Sequence, residues 1–322
     1  DWELPQGRSA DEKRRSPDRV PCKIVNLVTL RKGQPWVEIE TTIENNSEDH
    51  YLQVSFPTNV QSETTIASTP FDVVERAIKL PDPGRYDEDL QTEHPMDRFV
   101  AIEDTQAGVA LLNEGLKAYE PHDDDGQTLS LTMLRCFPLR ICITNLEMTD
   151  YSNQDKGSQC LGKHTFKYAF MPYSGTVDSA QMWQAAERFN HNVRVAQIGP
   201  SAGGKLPAAH SFLEIENSSL HVSAFKQSES GEGWVIRLFN PTDGTLRGRI
   251  RLNAGMTPPT AKSPVERQAV NFALPSDTSN KWTKARLLNL EEIEIEELPL
   301  DADGAVSLDV TKKKIVTLEF LP

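Results

Sequence analysis

The chain has 322 residues, of which 38% are hydrophobic and 25% charged, and its formal net charge is −13. This length and composition are typical of a globular protein with two packed units. Because nucleic acids and anionic membranes attract lysine and arginine, the acidic balance argues against both as partners. No apolar run approaches the roughly 20 residues that cross a bilayer, and the polar N-terminus shows no signal-peptide pattern. That start lacks methionine, so we expect a processed chain or a piece of a longer one.

Cysteine and histidine spacing predicts no metal site. Cys22, Cys136, Cys142 and Cys160 lack the two close pairs of a zinc ribbon, and the seven histidines are scattered. An oxidised Cys136–Cys142 pair is one alternative. Four free thiols in a reducing cytoplasm are the expected state.

Strand patterns dominate the chain. Apolar residues alternate with polar ones at the period of two that predicts half-buried strands. The clearest runs are WVEIETTIE (36–44), YLQVSF (51–56), LSLTMLRC (129–136), HTFKYAF (164–170), LRGRIRL (246–252) and KIVTLEFL (314–321). Turn residues separate them, so the sequence predicts sheets packed face to face.

One short helix is predicted near 177–190. An apolar stripe of Met182, Ala185, Ala186 and Phe189 has helical spacing, and Asp178 is the expected N-cap. The Gly-, Pro- and Ser-rich stretch 198–210 indicates a boundary. We therefore predict a polar segment at 1–19, a large sandwich at 20–203 and a second sandwich at 204–322.

Two acidic stretches have structural explanations. Asp123–Gly126 lacks the ligand spacing of a calcium loop and is typical of a solvated turn. EEIEIEE (291–297) alternates acid with isoleucine, as in an exposed edge strand. The chain also lacks a nucleophile elbow, a phosphate loop and a dinucleotide fingerprint.

Four pieces in order resemble one family. They are HPMDRFVAIED (94–104), GVALLNEGLKAYE (108–120), LSLTMLRC (129–136) and HTFKYAFMPYSG (164–175). Together with residues 211–242, they resemble the C-terminal half of glycoside hydrolase family 38, the retaining α-mannosidases, particularly bacterial members. The resemblance covers roughly residues 20–242.

The resemblance implies an all-β chain without catalytic residues. It implies a large β-supersandwich similar to galactose mutarotase-like domains, followed by a smaller sandwich. In the family, an N-terminal catalytic domain holds the zinc ion and the aspartate nucleophile. The implied partners are that catalytic domain and a mannose-containing glycoside, and a homo-oligomer is possible.

The stretch GVALLNEGLKAYE is the best candidate for a loop at the rim of the sugar cleft. Asn113, Glu114 and Tyr119 offer groups that bind hydroxyls or stack on a sugar, while His94 and Arg98 are second-tier candidates. The alternative is a loop that only docks two parts of the protein or closes a hairpin.

Three other functions stay open. A carbohydrate-binding module would use exposed aromatic side chains, for which Trp36, Tyr173, Trp183 and Trp234 are available, although Trp183 and Trp234 have core-like positions. A mutarotase- or lyase-like enzyme would need a general acid and base, for which His164 is the candidate. The chain could also serve purely in oligomerisation.

Overall fold

The structure of the chain is a computed structural model. It describes residues 2–8, 14–82, 84, 90–124, 127–138, 140–144, 147–150, 156–178, 180–197, 199, 208–253 and 282–322, without the side chains of 140–144 and 147–150. The chain divides into two compact units, residues 1–192 and 193–322. The predicted boundary at 203/204 falls within 200–207, outside the described residues, and stays a prediction.

The first unit is built on an eight-stranded antiparallel sheet. Its strand order is β1-β2-β3-β14-β9-β8-β5-β6. The strands are β1 (Trp2–Pro5), β2 (Arg19–Leu30), β3 (Val37–Asn45), β5 (Thr64–Thr69), β6 (Asp72–Ala77), β8 (Phe99–Glu103), β9 (Ala107–Glu114) and β14 (Gly162–Ser174). The predicted polar segment 1–19 thus contains an edge strand.

A four-stranded sheet faces the large sheet. Its order is β4-β11-β10-β7, with β4 (Tyr51–Pro57), β7 (His94–Pro95), β10 (Ala118–Pro121) and β11 (Thr128–Arg135). The first unit also contains a two-stranded ribbon, β12 (Arg140–Thr144) and β13 (Glu147–Asp150), and a 3-10 turn at Gly157–Gln159. The core lies between the two sheets, where Leu111, Leu129 and Leu131 are fully buried.

The opposite face of the large sheet carries helix α1 (Met182–Asn190). Trp183 meets the ring of Phe99 edge-on at 5.8 Å, and Phe189 meets Trp36 at 6.1 Å. The predicted stripe is buried as expected, but the predicted cap is wrong. The helix begins at Met182, because Gln181 adopts a left-handed conformation with φ 51° and makes no side-chain cap.

The second unit is a smaller sandwich. A three-stranded sheet has the order β15-β18-β21, with β15 (Leu213–Ile215), β18 (Leu246–Leu252) and β21 (Ala305–Val310). A five-stranded sheet has the order β16-β17-β22-β19-β20, with β16 (His221–Gln227), β17 (Trp234–Phe239), β19 (Lys284–Leu288), β20 (Glu294–Leu298) and β22 (Ile315–Leu321). Ile250, Leu318 and Phe320 are fully buried in its core.

The all-β prediction is confirmed. All six alternating runs fall on strands, and EEIEIEE contributes β20, the terminal strand of its sheet. Asp125 and Gly126, part of the predicted acidic turn, lie outside the described residues. Next to them, Asp124 accepts hydrogen bonds from the Thr128 backbone at 2.9 Å and hydroxyl at 2.8 Å.

Candidate functional site

The candidate loop connects the two layers of the first sandwich. Its first half is β9 of the eight-stranded sheet and its second half is β10 of the four-stranded sheet. The hairpin alternative is therefore wrong, since β9 and β10 do not pair. Gly115 makes the turn with φ +88°, a value that favours glycine, and Leu116 is buried just beyond it.

The structure brings the two predicted segments together. Tyr119 lies opposite His94 in the β10–β7 pair. The Met96 amide donates to the Lys117 carbonyl at 3.0 Å, and the Asn113 amide donates to the Arg98 carbonyl at 2.9 Å. All five predicted site residues consequently belong to one cluster, which we call the β7–β10 cluster: His94, Arg98, Asn113, Glu114 and Tyr119.

Tyr119 is a core residue in this cluster. Its side chain has no exposed surface, and its hydroxyl is hydrogen bonded with the Thr65 hydroxyl at 2.9 Å. The Arg76 guanidinium donates to the same oxygen at 3.4 Å. The ring thus presents no face to a sugar in this structure.

His94 packs against that tyrosine, with 5.7 Å between ring centroids. Its Nε2 is buried and has no hydrogen-bond partner among the described residues. Burial, followed by the nearby Arg76 charge, lowers the pKa of His94 below its ordinary value. His94 is accordingly neutral at pH 7 and suited to packing.

Asn113 is fully buried and Arg98 is partly buried. Arg98 forms ion pairs with Asp97 at 3.4 Å and with Glu187 of helix α1. Asn190, also on the helix, donates to the Asn113 carbonyl at 3.0 Å. Neither helix residue can be found from the sequence, because no periodicity links positions 77 or more residues apart.

Within the β7–β10 cluster, Glu114 is the exposed member. Lys117 lies beside it in the turn and forms an ion pair with Asp97 at 2.8 Å. A carboxylate and an ammonium at the surface can hydrogen bond with sugar hydroxyls. The predicted sugar-contact role of the cluster stays a prediction, and Glu114 is the residue through which it can be tested.

A further polar group lies on the outward face of the four-stranded sheet. The Tyr51 hydroxyl donates to Glu93 at 2.6 Å, and Gln53 donates to Glu120 at 3.0 Å. Burial and the Glu93 carboxylate raise the pKa of Tyr51 to about 12. Burial raises the pKa of Glu120, but hydrogen bonds from Thr92 and Gln53 outweigh it and leave that pKa below its ordinary value. The alternating pattern of β4 placed Tyr51 and Gln53 on one face but did not show their partners.

A cavity of about 480 Å³ opens between the two sheets near β1 and β2. Trp2, Asn26, Gln53 and Tyr168 contribute to its wall, together with apolar side chains such as Ile24. Trp2 is 58% exposed. An aromatic ring beside amide and hydroxyl groups is a combination that binds small polar ligands.

Hydrogen bonds connect the polar side chains at the base of this cavity. The Thr41 hydroxyl donates to Asn26 at 2.7 Å and is also hydrogen bonded with the Tyr168 hydroxyl at 2.7 Å. Burial raises the pKa of Tyr168, so the phenol is protonated at neutral pH. These hydrogen bonds connect Tyr168 of β14 through Thr41 of β3 to Asn26 of β2, and they hold the Asn26 side chain in place.

His164, the candidate acid or base of a mutarotase-like enzyme, is hydrogen bonded through Nε2 with the Cys160 carbonyl at 2.8 Å. Its ring stacks on Phe166 at 6.2 Å. The backbone contact and the stacking favour a structural role for this histidine. Trp183 is buried as predicted, and Trp36 is buried too.

Cys22, Cys136 and Cys160 are free thiols, and the Cys142 side chain lies outside the described residues. Burial raises the pKa of Cys136 to about 12, so this thiol is not a reactive nucleophile. Among the described residues, no group of three or more His, Cys, Asp or Glu side chains could hold a metal ion. No helix in the described part of the chain is long and apolar enough to cross a membrane.

Two sequence models of one family match the chain in order. The glycosyl hydrolases family 38 C-terminal domain matches residues 10–138. The glycosyl hydrolases family 38 C-terminal beta sandwich domain matches residues 219–318. Each match falls within one of the two units.

Curated relatives and solved structures agree with this match. A Halalkalibacterium halodurans protein named "Putative mannosylglycerate hydrolase" is 26% identical over 228 residues, which are 70% of this chain and 24% of that protein. Human alpha-mannosidase 2C1 is 25% identical over 219 residues, 66% of this chain and 18% of that protein. The crystal structure of an alpha-mannosidase from Enterococcus faecalis superposes with a TM-score of 0.72 at 23% identity, covering 99% of this chain and 33% of that one.

The chain spans about a quarter or less of the length of these curated relatives. The order of the two matches and the shared fold agree with the resemblance inferred from the sequence. The chain therefore belongs to glycosyl hydrolase family 38, as the C-terminal β-sandwich region of that family.

Proposed function

We propose that the chain is the non-catalytic C-terminal half of a retaining α-mannosidase that acts on mannose-containing glycosides. The observation that best supports this proposal is that both C-terminal family models match the chain in order. The aligned part of the chain covers only 24% of a related hydrolase. In this role the chain completes the fold of the enzyme. A catalytic domain elsewhere in the longer polypeptide supplies the aspartate nucleophile and the zinc ion that orients the sugar.

The β7–β10 cluster lines one side of the sugar cleft in this proposal. The less exposed members fix the position of the turn. Tyr119 is hydrogen bonded with Thr65 of β5. Asn113 is hydrogen bonded with Arg98, which forms an ion pair with helix α1. Glu114 is the side chain placed to accept hydrogen bonds from sugar hydroxyls. The other four residues act by positioning it.

The first experiment is hydrolysis of an aryl α-mannoside, with and without added zinc. It compares this chain with the complete product of its natural gene. We expect activity from the complete product alone. Hydrolysis by this chain would overturn the proposal, and the residues around His164 would then need to be tested for a catalytic role.

The cleft contact is tested by Glu114→Ala in the complete enzyme. A contact to sugar predicts a raised KM for the mannoside with unchanged thermal stability, since Glu114 is exposed. Glu75→Ala is the matched control, because Glu75 is an exposed strand glutamate on β6. Equal kinetic constants for the two variants would sink the contact.

The cavity supports a second candidate, a carbohydrate-binding module. Trp2 can stack on a sugar ring while Asn26 binds its hydroxyls. Titration of this chain with mannose, observed by Trp fluorescence, tests it. Binding that is lost in Trp2→Ala would favour the module, whereas no binding would leave the α-mannosidase half as the better candidate.

A further inference from the structure

Strand β2 is paired along only part of one side. It has 12 residues, and β3 pairs with Lys23–Leu30 without interruption. On its other side, β1 pairs only with Arg19–Cys22. No other described strand pairs with Lys23–Leu30 on that side, and we call the uncharged part of it, Ile24–Leu30, the free half of β2.

The free half of β2 is apolar on both of its faces. Val25, Leu27, Val28 and Leu30 are 50%, 62%, 61% and 75% exposed. No charged residue occurs from Ile24 to Leu30. A long uncharged edge with exposed apolar side chains pairs readily with another strand, and natural proteins usually avoid leaving one in water.

The cavity continues along the inner face of this segment. Ile24 and Asn26 line it, and Val28 lies on the same face, opposite Ile39 of the core. Trp2 of β1 lines the cavity from the adjacent strand position. An additional strand beside the free half would therefore place every second side chain over this opening.

We propose that the free half of β2 is covered by a strand of the same polypeptide, formed by the residues that directly precede Trp2 and continuing β1. This step rests on the proposed function, since it takes the chain as part of a longer hydrolase. The related hydrolases carry at least three quarters of their length outside the matched region.

The register of β1 fixes the pairing of this strand. Trp2 lies opposite Cys22 and Glu3 opposite Pro21 in an antiparallel pair, so the two numbers always add up to 24. In the longer polypeptide, the eight positions before Trp2 would then lie opposite Lys23–Leu30. The second, fourth and sixth residues before Trp2 fall beside Ile24, Asn26 and Val28, on the inner face, where we expect mainly apolar side chains.

Continuation of β1 is favoured over a second copy of the chain. The four existing pairs of β1 already hold the incoming backbone in register, so the added strand pays no separate cost of association. A second copy would pair two edges only at high protein concentration. The two occupants can therefore be distinguished by dilution.

Hydrogen exchange of residues 23–30 is the decisive measurement, made on this chain and on the complete gene product. In an antiparallel strand about half of the backbone amides point to each side, so roughly four should gain protection in the longer protein. Equal exchange in the two proteins would overturn the proposal. So would protection that appears in this chain on concentration, or a gene product that begins no earlier than this chain.

Two substitutions distinguish a free half of β2 that is covered by a strand from one that is exposed to water. Val28→Lys should lower the Tm of the complete product by about 2–4 °C and leave the Tm of this chain unchanged, because only the longer protein buries residue 28. Ile295→Lys on β20 is the matched control, since Ile295 is also 61% exposed. It should have no effect in either protein, and equal behaviour of the two variants would contradict the covering strand.

The same samples keep this inference distinct from the proposed function. A complete product that hydrolyses mannosides while residues 23–30 exchange freely would refute the covering strand alone. An inactive product with protected amides would refute the mannosidase proposal alone. Protection together with hydrolysis supports both.

Discussion

Two edge strands with equally exposed side chains differ in the charges around them. Val28 of β2 and Ile295 of β20 are both 61% exposed. On β20, Glu294, Glu296 and Glu297 surround the isoleucine, and Glu294 and Glu297 form ion pairs with β19 at 3.2 Å and 2.5 Å. The free half of β2 has no such charges, so charge rather than exposure distinguishes an edge adapted to water from an edge adapted to a partner.

The other edge of the large sheet supports this distinction. Strand β6 ends the same eight-stranded sheet and carries Asp72, Glu75 and Arg76 among its six residues. One sheet therefore has a charged edge and an uncharged one. The lack of charge is a local property of the free half of β2, not of the sheet.

The largest effect is expected from the cores, where the two units should behave alike. Leu131→Ala in the first unit and Leu318→Ala in the second each remove a fully buried side chain. Each should lower the free energy of unfolding by about 2–5 kcal/mol, measured by urea denaturation. If Leu131→Ala lowers the free energy of unfolding by less than about 1 kcal/mol, the first core is loosely packed. The two units would then differ in their cores as well as in their edge strands.

The strands could be predicted because apolar and polar residues alternate within the sequence of each strand. WVEIETTIE and HTFKYAF gave β3 and β14, but nothing in either sequence showed that they are neighbours. The hairpin alternative for the turn between β9 and β10 failed for this reason, since a strand pattern does not reveal which sheet the strand joins. The helix cap failed because Gln181 takes a left-handed conformation that its residue type does not predict.

The candidate site shows the same limit. The sequence named His94 and Tyr119 as candidates without showing that they are neighbours. It also could not show that Thr65 and Arg76 bind the Tyr119 hydroxyl. It also missed Glu187, which lies 89 residues from Arg98. Contacts between distant segments depend on packing, and periodicity contains no information about them.

A smaller effect is expected where the core supports β2. Tyr168→Phe removes the hydroxyl that is hydrogen bonded with Thr41, which in turn donates to Asn26. The loss should be about 1 kcal/mol, because Thr41 keeps one partner. Hydrogen exchange of β2 should accelerate in this variant while that of β20 stays the same. Unchanged exchange of β2 would show that the hydroxyl does not support the edge.

The two units should also lose stability in different acid ranges. Burial lowers the pKa of both His50 and His94 in the first unit below the ordinary 6.5. In the unfolded chain these histidines bind protons at a higher pH, so the stability of the first unit should fall as pH drops below about 6.5. In the second unit, hydrogen bonds from Arg249 lower the pKa of Asp301 from 3.8 to about 2. The stability that this aspartate provides is present above pH 3.8 and is lost as pH falls through about 2.

Thermal unfolding between pH 7.5 and 5 tests the histidine part. His94→Gln should reduce the slope of Tm against pH, whatever its effect on Tm at neutral pH, because glutamine does not titrate. Asp301→Asn should leave that slope unchanged. An equal slope in wild type and His94→Gln would assign the acid sensitivity to other groups.

The smallest effect on stability is expected from removing one charge from the protected edge. Glu296→Val makes β20 more like β2, and a surface change of this kind should alter the free energy of unfolding by less than about 0.5 kcal/mol. Self-association, measured by sedimentation at increasing concentration, should nevertheless increase, because the edge loses a charge that opposes strand pairing. Glu40→Val is the control, since Glu40 lies on β3, which is paired on both sides and offers no free edge. If Glu296→Val stays monomeric, the charges on β20 do not prevent strand pairing. The lack of charge on the free half of β2 would then no longer indicate a partner strand.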